Sequence, residues 1–172
     1  MELLVKRACR HDADAFCELM DANMQSMYKV AKAYLKNDED AADAIQDTIL
    51  ACYEKIDTLK NSQYFKTWLI RILINKCDNV LKKSKRTVPE DTVREAAKED
   101  MNYSNLEWNE LLNRIDEKYR TILILYYVEG FNTREIAQLL DMNENTIKSR
   151  LQRGRARLCE LYRLPLRKER KA

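Results

Sequence analysis

The chain of 172 residues is long enough for one ordinary domain or two small ones. Hydrophobic residues make up 45% and charged residues 34%, with a net charge of +3, which is typical of a soluble globular protein. With only two glycines and two prolines, the composition argues against an all-β fold with many tight turns and favours long helices.

Three amphipathic helices are predicted in the first half of the chain. Asp12 is placed to cap the first helix, the segment KNDED ends it, and Asp38 is placed to cap the second. A polar loop over residues 57–63 precedes the third helix, from Tyr64 to Lys83. The positions expected to face a core are Phe16, Leu19, Met20, Met27, Val30 and Tyr34 in the first helix, Ala41, Ala44, Ile45, Thr48, Ile49, Cys52 and Ile56 in the second, and Phe65, Trp68, Leu69, Ile72, Leu73 and Val80 in the third.

Residues 84–105 have the composition of a linker, with Pro89, many acids and few large apolar residues. The second half begins near Leu106 and includes TILILYYV (121–128). This run has the β-propensity of a strand, but apolar residues spaced by three or four continue across it and favour a helix. Gly130 lies where glycine commonly ends a helix. The predicted fold is therefore all-α, with two small helical bundles joined by an acidic flexible linker.

A helix-turn-helix is predicted in residues 131–158, FNTREIAQLLDMNENTIKSRLQRGRARL. Ala137 is small enough for two crossing helices to approach each other, and Ile147 is spaced to pack back against the first helix. Asn145 is placed to cap the second helix. Asp141 occupies the place of the usual glycine in the turn. An ordinary helical hairpin is the alternative interpretation of this segment.

The second helix of this motif presents a polar face suited to DNA. Docking by its N-terminus would bring the first residues of that face to base edges, where arginine bridges guanine acceptors and asparagine does so for adenine. Arg155 and Arg157 lie farther along and are expected at phosphates, which add affinity without sequence information. The residues expected at DNA bases or backbone on this helix are Glu144, Asn145, Thr146, Lys148, Ser149, Arg150 and Arg153.

Charge is segregated along the chain more strongly than its total suggests. Residues 37–57 hold seven acidic residues and one basic residue, whereas residues 58–86 hold eight basic residues and one acidic residue. Residues 87–110 are acidic again, and residues 142–172 carry ten basic residues against three acidic ones. A single charged block is usually a solvated helix face. Two basic blocks with interleaved apolar and aromatic residues favour nucleic-acid binding instead.

The sequence lacks the patterns of a catalytic or metal site. Five cysteines are scattered without a Cys-x-x-Cys pair, and the one histidine, His11, lies in a basic segment expected to be a loop. An odd, dispersed set of cysteines favours reduced cytosolic thiols, and zinc lacks its ligand spacing. We find no Gly-rich phosphate loop, no signal peptide and no apolar run of roughly 18 residues. The sequence therefore predicts a cytoplasmic protein that is not an enzyme, needs no cofactor or metal and does not insert into a membrane.

Three segments in this order resemble the bacterial extracytoplasmic-function (ECF) sigma factors, the minimal two-domain class of RNA polymerase sigma subunits. Residues 34–56, YLKNDEDAADAIQDTILACYEKI, are similar to the family's polymerase-binding segment. Residues 64–86, YFKTWLIRILINKCDNVLKKSKR, are similar to its promoter −10 segment, and residues 116–158 to its −35-reading domain. Ala42 and Tyr53 depart from the family, which usually has glutamate and tryptophan there.

The resemblance implies that residues 1–86 bind core polymerase and recognise and melt the −10 element, that residues 87–105 are a linker, and that residues 106–172 recognise the −35 element. It implies three partners: core RNA polymerase, promoter DNA that is double-stranded at −35 and melted at −10, and an anti-sigma factor. The residues implied at the clamp coiled coil of the polymerase's largest subunit are Asp43, Gln46 and Asp47. Those implied at the −10 element, where the loop captures a flipped base, are Asn61, Ser62, Gln63, Tyr64, Lys66, Arg71, Lys76, Lys82 and Lys83.

A stand-alone helix-turn-helix regulator with an N-terminal protein-interaction domain is the alternative function. The acidic and basic helices of the first half favour the sigma factor, because a simple repressor needs neither. Gly154 is a further oddity, since glycine inside a helix costs about 1 kcal/mol relative to alanine. The sequence leaves this glycine unexplained, and a close approach to DNA or to the polymerase at this position is only a guess.

Overall fold

The computed structural model describes residues 1–35, 37–87 and 112–169, apart from the side chains of residues 84–87 and 162–169. Seven α-helices occur in these ranges, and none of the described residues forms a β-strand. The prediction of an all-α fold is therefore confirmed.

The chain divides into two compact units, Met1–Glu95 and Ala96–Ala172. Each unit is a small helical bundle, as predicted, and the second contains a helix-turn-helix. Of the predicted linker, residues 87–105, only Thr87 is among the described residues.

The part of the first unit that the structure describes forms four α-helices: α1 (Glu2–Ala8), α2 (Ala13–Leu35), α3 (Asp38–Lys55) and α4 (Phe65–Thr87). Two short 3-10 turns, Ile56–Thr58 and Ser62–Tyr64, lie between α3 and α4. α1 was not predicted, because seven residues are too few to show a helical repeat. His11 lies exposed in the turn before α2 with a φ of 62°, which agrees with the loop expected there.

A shared apolar core holds these four helices together. α2 packs against α1, α3 and α4, and α3 packs against α4. Burying one leucine or isoleucine side chain contributes about 1.5–3 kcal/mol, so these contacts dominate the stability of the unit. Trp68 is only half-buried beside Phe65, with ring centroids 6.1 Å apart. The side chains that are fully buried here include Leu19, Met27, Ile56, Leu69, Ile70 and Leu73.

Side-chain caps determine where α2 and α3 begin. Asp12 accepts a hydrogen bond from an amide in the first turn of α2 at 3.0 Å, which confirms its predicted role. α3 is capped by Asn37, whose side-chain oxygen accepts from a first-turn amide at 2.8 Å, so the prediction of Asp38 as the cap is wrong by one residue. Asp38 is instead the first helical residue, where it pairs with Lys32 and accepts a hydrogen bond from Tyr28 at 2.7 Å.

In the second unit the described residues include the α-helices α5 (Glu117–Leu123), α6 (Thr133–Leu139) and α7 (Glu144–Glu169). α5 continues into a π-helical stretch over Ile124–Val128, so the prediction of helix rather than strand across residues 121–128 is confirmed. Its wider turn was not predicted. Gly130 has a φ of 77°, and the Phe131 amide donates to the Leu125 carbonyl at 3.0 Å, which closes the helix with a C-cap glycine as expected.

α6 and α7 form the predicted helix-turn-helix. Asn132 caps α6 in a reciprocal capping box with Glu135. Asp141 in the turn has a φ of 51°, so it adopts the left-handed conformation that glycine usually supplies. Ala137 and Ile147 are both buried, and α6 packs against α7, as the spacing predicted.

The predicted cap of α7 is wrong by two residues. Asn143, not Asn145, is the cap, because its side-chain oxygen accepts from the Asn145 amide at 2.8 Å. The Asn143 carbonyl also accepts the Ile147 amide at 3.1 Å, which is the first hydrogen bond of the helix. Both asparagines have the right chemistry, and the backbone of the turn selects the earlier one.

Gly154 allows α7 to lie close against α5. The glycine is buried, and a Cβ atom there would lie 3.2 Å from Leu123 Cδ1 and 3.4 Å from Tyr119 Cβ. Leu123 is itself 1% exposed, so its side chain has little room to move. Gly154 therefore serves packing within the unit, which explains a glycine that the sequence alone left unexplained.

We predict that Gly154→Leu lowers the free energy of unfolding by about 1–3 kcal/mol, because the added side chain overpacks the contact with Leu123. Urea denaturation followed by circular dichroism measures this change. The matched control, Ala156→Leu at an exposed position of the same helix, should stay within about 0.5 kcal/mol of the wild type. A gain of about 1 kcal/mol for Gly154→Leu, as helix propensity alone requires, would contradict the packing role.

Candidate nucleic-acid interface

The predicted DNA-reading residues of α7 all lie on its surface. Ile147 and Leu151 are buried on the other side of the helix, and this sets its rotation. Four of the predicted residues are exposed, namely Asn145, Lys148, Ser149 and Arg153. The other three are half-buried, namely Glu144, Thr146 and Arg150. The structure therefore leaves all seven side chains at least partly accessible on the helix.

Glu144 braces the two helices of the helix-turn-helix. Its Oε1 atom accepts a hydrogen bond from Thr133 Oγ1 at 3.0 Å and pairs with Lys148 Nζ at 2.9 Å. The hydrogen bonds from Lys148 and Thr133 hold the pKa of the Glu144 carboxyl below its usual value, so it is ionised at neutral pH. An exposed ion pair of this kind is weak, and a DNA phosphate can replace Glu144 as the partner of Lys148.

Two further side chains of this face already make contacts within the chain. Ser149 Oγ donates to the Asn145 carbonyl at 2.7 Å, which leaves the hydroxyl oxygen to accept from a base or from water. Arg150 Nη1 lies 3.5 Å from the Met142 sulfur. A thioether is a weak acceptor, so this contact orients the guanidinium without consuming its capacity to bind guanine.

Arg155 is engaged with a pair of tyrosines. Its guanidinium carbon lies 5.7 Å from the ring centroid of Tyr126 and 5.5 Å from that of Tyr127, and the two rings meet edge to face at 5.0 Å. From the sequence, Arg155 was expected with Arg157 at DNA phosphates. No local pattern signals the tyrosine contact, because the partners lie on different helical segments.

The basic residues of α4 divide between two sides of the helix. At 100° per residue, Arg71 and Lys82 lie about 20° apart around the axis, and so do Lys76 and Lys83. The two pairs are separated by about 100–140°. Arg71, Lys82 and Lys83 are exposed, whereas Lys76 is half-buried. One stretch of nucleic-acid backbone therefore cannot contact the whole predicted set equally, and Arg71 with Lys82 forms one exposed track along the helix.

The loop before α4 presents four polar or aromatic side chains. Asn61 Oδ1 accepts a hydrogen bond from the Gln63 backbone amide at 3.0 Å and so caps the short turn. The side-chain NH2 group of Asn61 can therefore still donate hydrogen bonds to a ligand. Ser62 Oγ donates to Glu2 Oε1 of α1 at 3.3 Å. The Tyr64 ring is 64% exposed, which is unusual for so large a side chain and suits stacking on a base.

A stripe along α3 combines acidic and apolar side chains. Asp43, Gln46 and Asp47 are exposed and follow helical spacing, so they share one side of the helix. Leu50, 64% exposed, continues that stripe, and Tyr53, 53% exposed, borders it while its ring packs edge to face on Phe16 at 5.2 Å. Neither Leu50 nor Tyr53 was predicted to belong to this surface, although their helical spacing from Asp43 can be read from the sequence. Exposed large apolar side chains beside acids are typical of a protein-binding surface.

Neither a metal-binding cluster nor a membrane-spanning helix occurs among the described residues. No group of three or more His, Cys, Asp or Glu side chains there is arranged to hold a metal ion. Among the described helices, none combines the length and the apolar character that crossing a membrane requires.

Both halves of the chain match known family models. Residues 19–87 match the model of sigma-70 region 2, and residues 106–158 match that of sigma-70 region 4. The first match contains α3, the loop and α4, and the second contains the helix-turn-helix.

Curated proteins and solved structures give the same result. The RNA polymerase sigma factor SigV of Bacillus subtilis is 33% identical over 149 residues, covering 84% of this chain and 87% of that protein. The ECF sigma factor SigW of the same organism is 26% identical over 186 residues, covering 95% and 99%. The sigma factor RpoE of Bartonella quintana, solved with the anti-sigma factor NepR, superimposes with a TM-score of 0.71 at 25% identity, covering 86% of this chain and 96% of that chain.

We predict that Arg153 and Arg155 differ in DNA binding although both are exposed arginines of α7. Arg153→Ala should lower the slope of log affinity against log salt by about 1, because one phosphate contact is lost. Arg155→Ala should leave that slope unchanged and lower the free energy of unfolding by about 0.5–1 kcal/mol, because the tyrosine contact is lost. Fluorescence anisotropy on duplex DNA at several salt concentrations measures the slopes. Equal slope changes for both variants would contradict this assignment.

Proposed function

The chain belongs to the extracytoplasmic-function RNA polymerase sigma factors, and on that basis we propose that residues 1–86 bind core polymerase and the −10 element while residues 106–172 read the −35 element. One observation carries this division: a single chain presents an acidic and apolar stripe, a basic helix with a polar loop, and a helix-turn-helix. A stand-alone helix-turn-helix regulator would need only the last. The intervening residues 87–105 would join the two units.

The α3 stripe is the proposed contact with core polymerase. Asp43, Gln46 and Asp47 offer acceptors to a basic partner surface, and Leu50 adds an apolar centre. Interfaces of this kind draw most of their affinity from a few side chains that lose all contact with water. Leu50 meets that description in the proposed complex, because the acidic residues beside it orient the partner and the partner excludes water from the leucine side chain.

The loop and α4 are the proposed contact with the melted −10 element. Capturing a flipped base costs a few kcal/mol for unstacking. Stacking on an aromatic ring such as Tyr64 returns about 1–3 kcal/mol, while the exposed cations Arg71 and Lys82 hold the strand's phosphates. The amide of Asn61 supplies hydrogen bonds that distinguish one base from another.

Three further properties follow from the same proposal. The protein directs transcription initiation without a reaction of its own, because bond formation belongs to the polymerase. It acts in the cytoplasm, where that polymerase works. An anti-sigma factor is its expected regulator, and the NepR complex of the similar sigma factor RpoE supports this.

We predict that Asp43→Ala combined with Asp47→Ala weakens binding to core polymerase at least tenfold, because both carboxylates of the α3 stripe are lost, and that Leu50→Ala alone has a comparable effect. Titration of the labelled full-length chain with core polymerase measures both. The matched control removes two exposed acids of α2, Glu18→Ala with Asp21→Ala, and should bind like the wild type. Equal affinities for the stripe variants and the control would overturn the proposed polymerase contact.

We predict that Arg150→Ala lowers the affinity of the holoenzyme for its −35 duplex by about 1–3 kcal/mol, because a bidentate contact to a base is lost. The comparison is made with a duplex of scrambled −35 sequence, for which the loss should be much smaller. An equal loss on both duplexes would make Arg150 a phosphate contact.

A further inference from the structure

A cleft in the first unit lies between α1 and the loop that precedes α4. Its volume is about 340 Å³, at the lower end of the roughly 300–1,000 Å³ of small-ligand sites. Cys9 and Leu59, both half-buried, form part of its lining. Asn61 and Ser62 line it as well, so the cleft opens directly beside the loop proposed to capture a base.

The charged side chains of the cleft are mostly cationic. Lys6 and Arg10 come from the α1 end and Lys60 from the loop, and all three are exposed. Glu2 is the one acid among the lining residues. Its carboxylate pairs with Lys6 at 2.8 Å and accepts a hydrogen bond from Ser62 at 3.3 Å. The hydrogen bond from Lys6 holds the pKa of Glu2 below its usual value, so an anion already lies among the three cations.

We propose that this cleft binds a backbone phosphate of the melted promoter strand, beside the nucleotide that the loop captures; this rests on the proposed function. The phosphate takes the place of the Glu2 carboxylate, and Lys6 and Ser62 turn from Glu2 to the phosphate oxygens. Arg10 and Lys60 add charge from the two sides of the cleft. The Glu2 pair is exposed and therefore weak, so this exchange is easy.

The position of α1 supports this assignment. α1 contacts the turn Ser62–Tyr64, although nearly sixty residues separate the two segments in sequence. The contact with α1 therefore holds the loop in place. The same end of the unit contributes the cations Lys6 and Arg10 beside the proposed position of the captured nucleotide. A phosphodiester is the only anion that accompanies every base of the strand, so the charge of the cleft matches the strand without specifying its sequence.

The test uses holoenzyme assembled from the full-length chain and core polymerase, bound to promoter DNA that is mismatched across the −10 element. Single phosphates of the melted strand are replaced in turn by uncharged methylphosphonates. With the wild type, one linkage next to the captured base should weaken binding about tenfold when neutralised. In the double variant Lys6→Ala with Arg10→Ala, the same substitution should have less than a twofold further effect. The matched control, Lys29→Ala with Arg114→Ala, should behave like the wild type.

Glu2→Gln provides a second measurement that does not depend on removing cations. Because the variant lacks the carboxylate that pairs with Lys6, its holoenzyme should bind the mismatched promoter about 2- to 5-fold more tightly than the wild type. This gain should vanish when the same linkage is a neutral methylphosphonate. If the double variant does not fold, this variant decides alone.

Several results would overturn the proposal. These are an identical methylphosphonate profile in the double variant and the wild type, a loss spread evenly over all linkages, or no gain from Glu2→Gln. If wild-type holoenzyme does not bind the promoter at all, the proposed function fails, and this inference fails with it. Binding by the wild type with no effect of the cleft variants overturns the inference alone.

Discussion

The burial of one apolar face on each basic helix is the constraint on which the surfaces of this protein depend. In α7, Ile147 and Leu151 are buried and Gly154 fits against Leu123, so the helix has one possible rotation about its axis. Each fully buried leucine or isoleucine side chain contributes about 1.5–3 kcal/mol, far more than an exposed charge pair, so the core decides which charged residues face outward. In α4 the same constraint leaves Arg71 and Lys82 exposed about 20° apart around the helix axis, which limits how a strand can lie on the helix.

Many outward charges are already paired within the chain. Lys148 pairs with Glu144, Lys6 with Glu2, and Arg155 lies over two tyrosines. The ion pairs are exposed and exchange readily for phosphates, because solvent and salt screen them. The tyrosine contact includes dispersion with two rings and is harder to displace. The number of basic residues in the sequence therefore overstates the number that DNA can engage.

Helical periodicity was sufficient to predict α2, α3, α4, the helix-turn-helix and most of the buried residues. It could not predict α1, which is too short to show a repeat, and it placed the caps of α3 and α7 one or two residues late. The predicted and the actual caps are one or two residues apart and have equivalent capping chemistry, and only the backbone of the preceding turn distinguishes them. Gly154 and the tyrosine partners of Arg155 escaped prediction for another reason. Both depend on contacts between helical segments that are distant in sequence, which no local pattern records. The roles of the α3, loop and α7 residues in binding stay predictions.

On the proposed function, one chain delivers core polymerase to promoters with two elements. This can be tested by run-off transcription of genomic DNA with core polymerase and the purified chain, followed by sequencing of transcript 5′ ends. We expect start sites that require the chain and share two upstream motifs, one near −10 and one near −35. The absence of transcripts above those of core polymerase alone, or start sites without a shared pair of motifs, would contradict it.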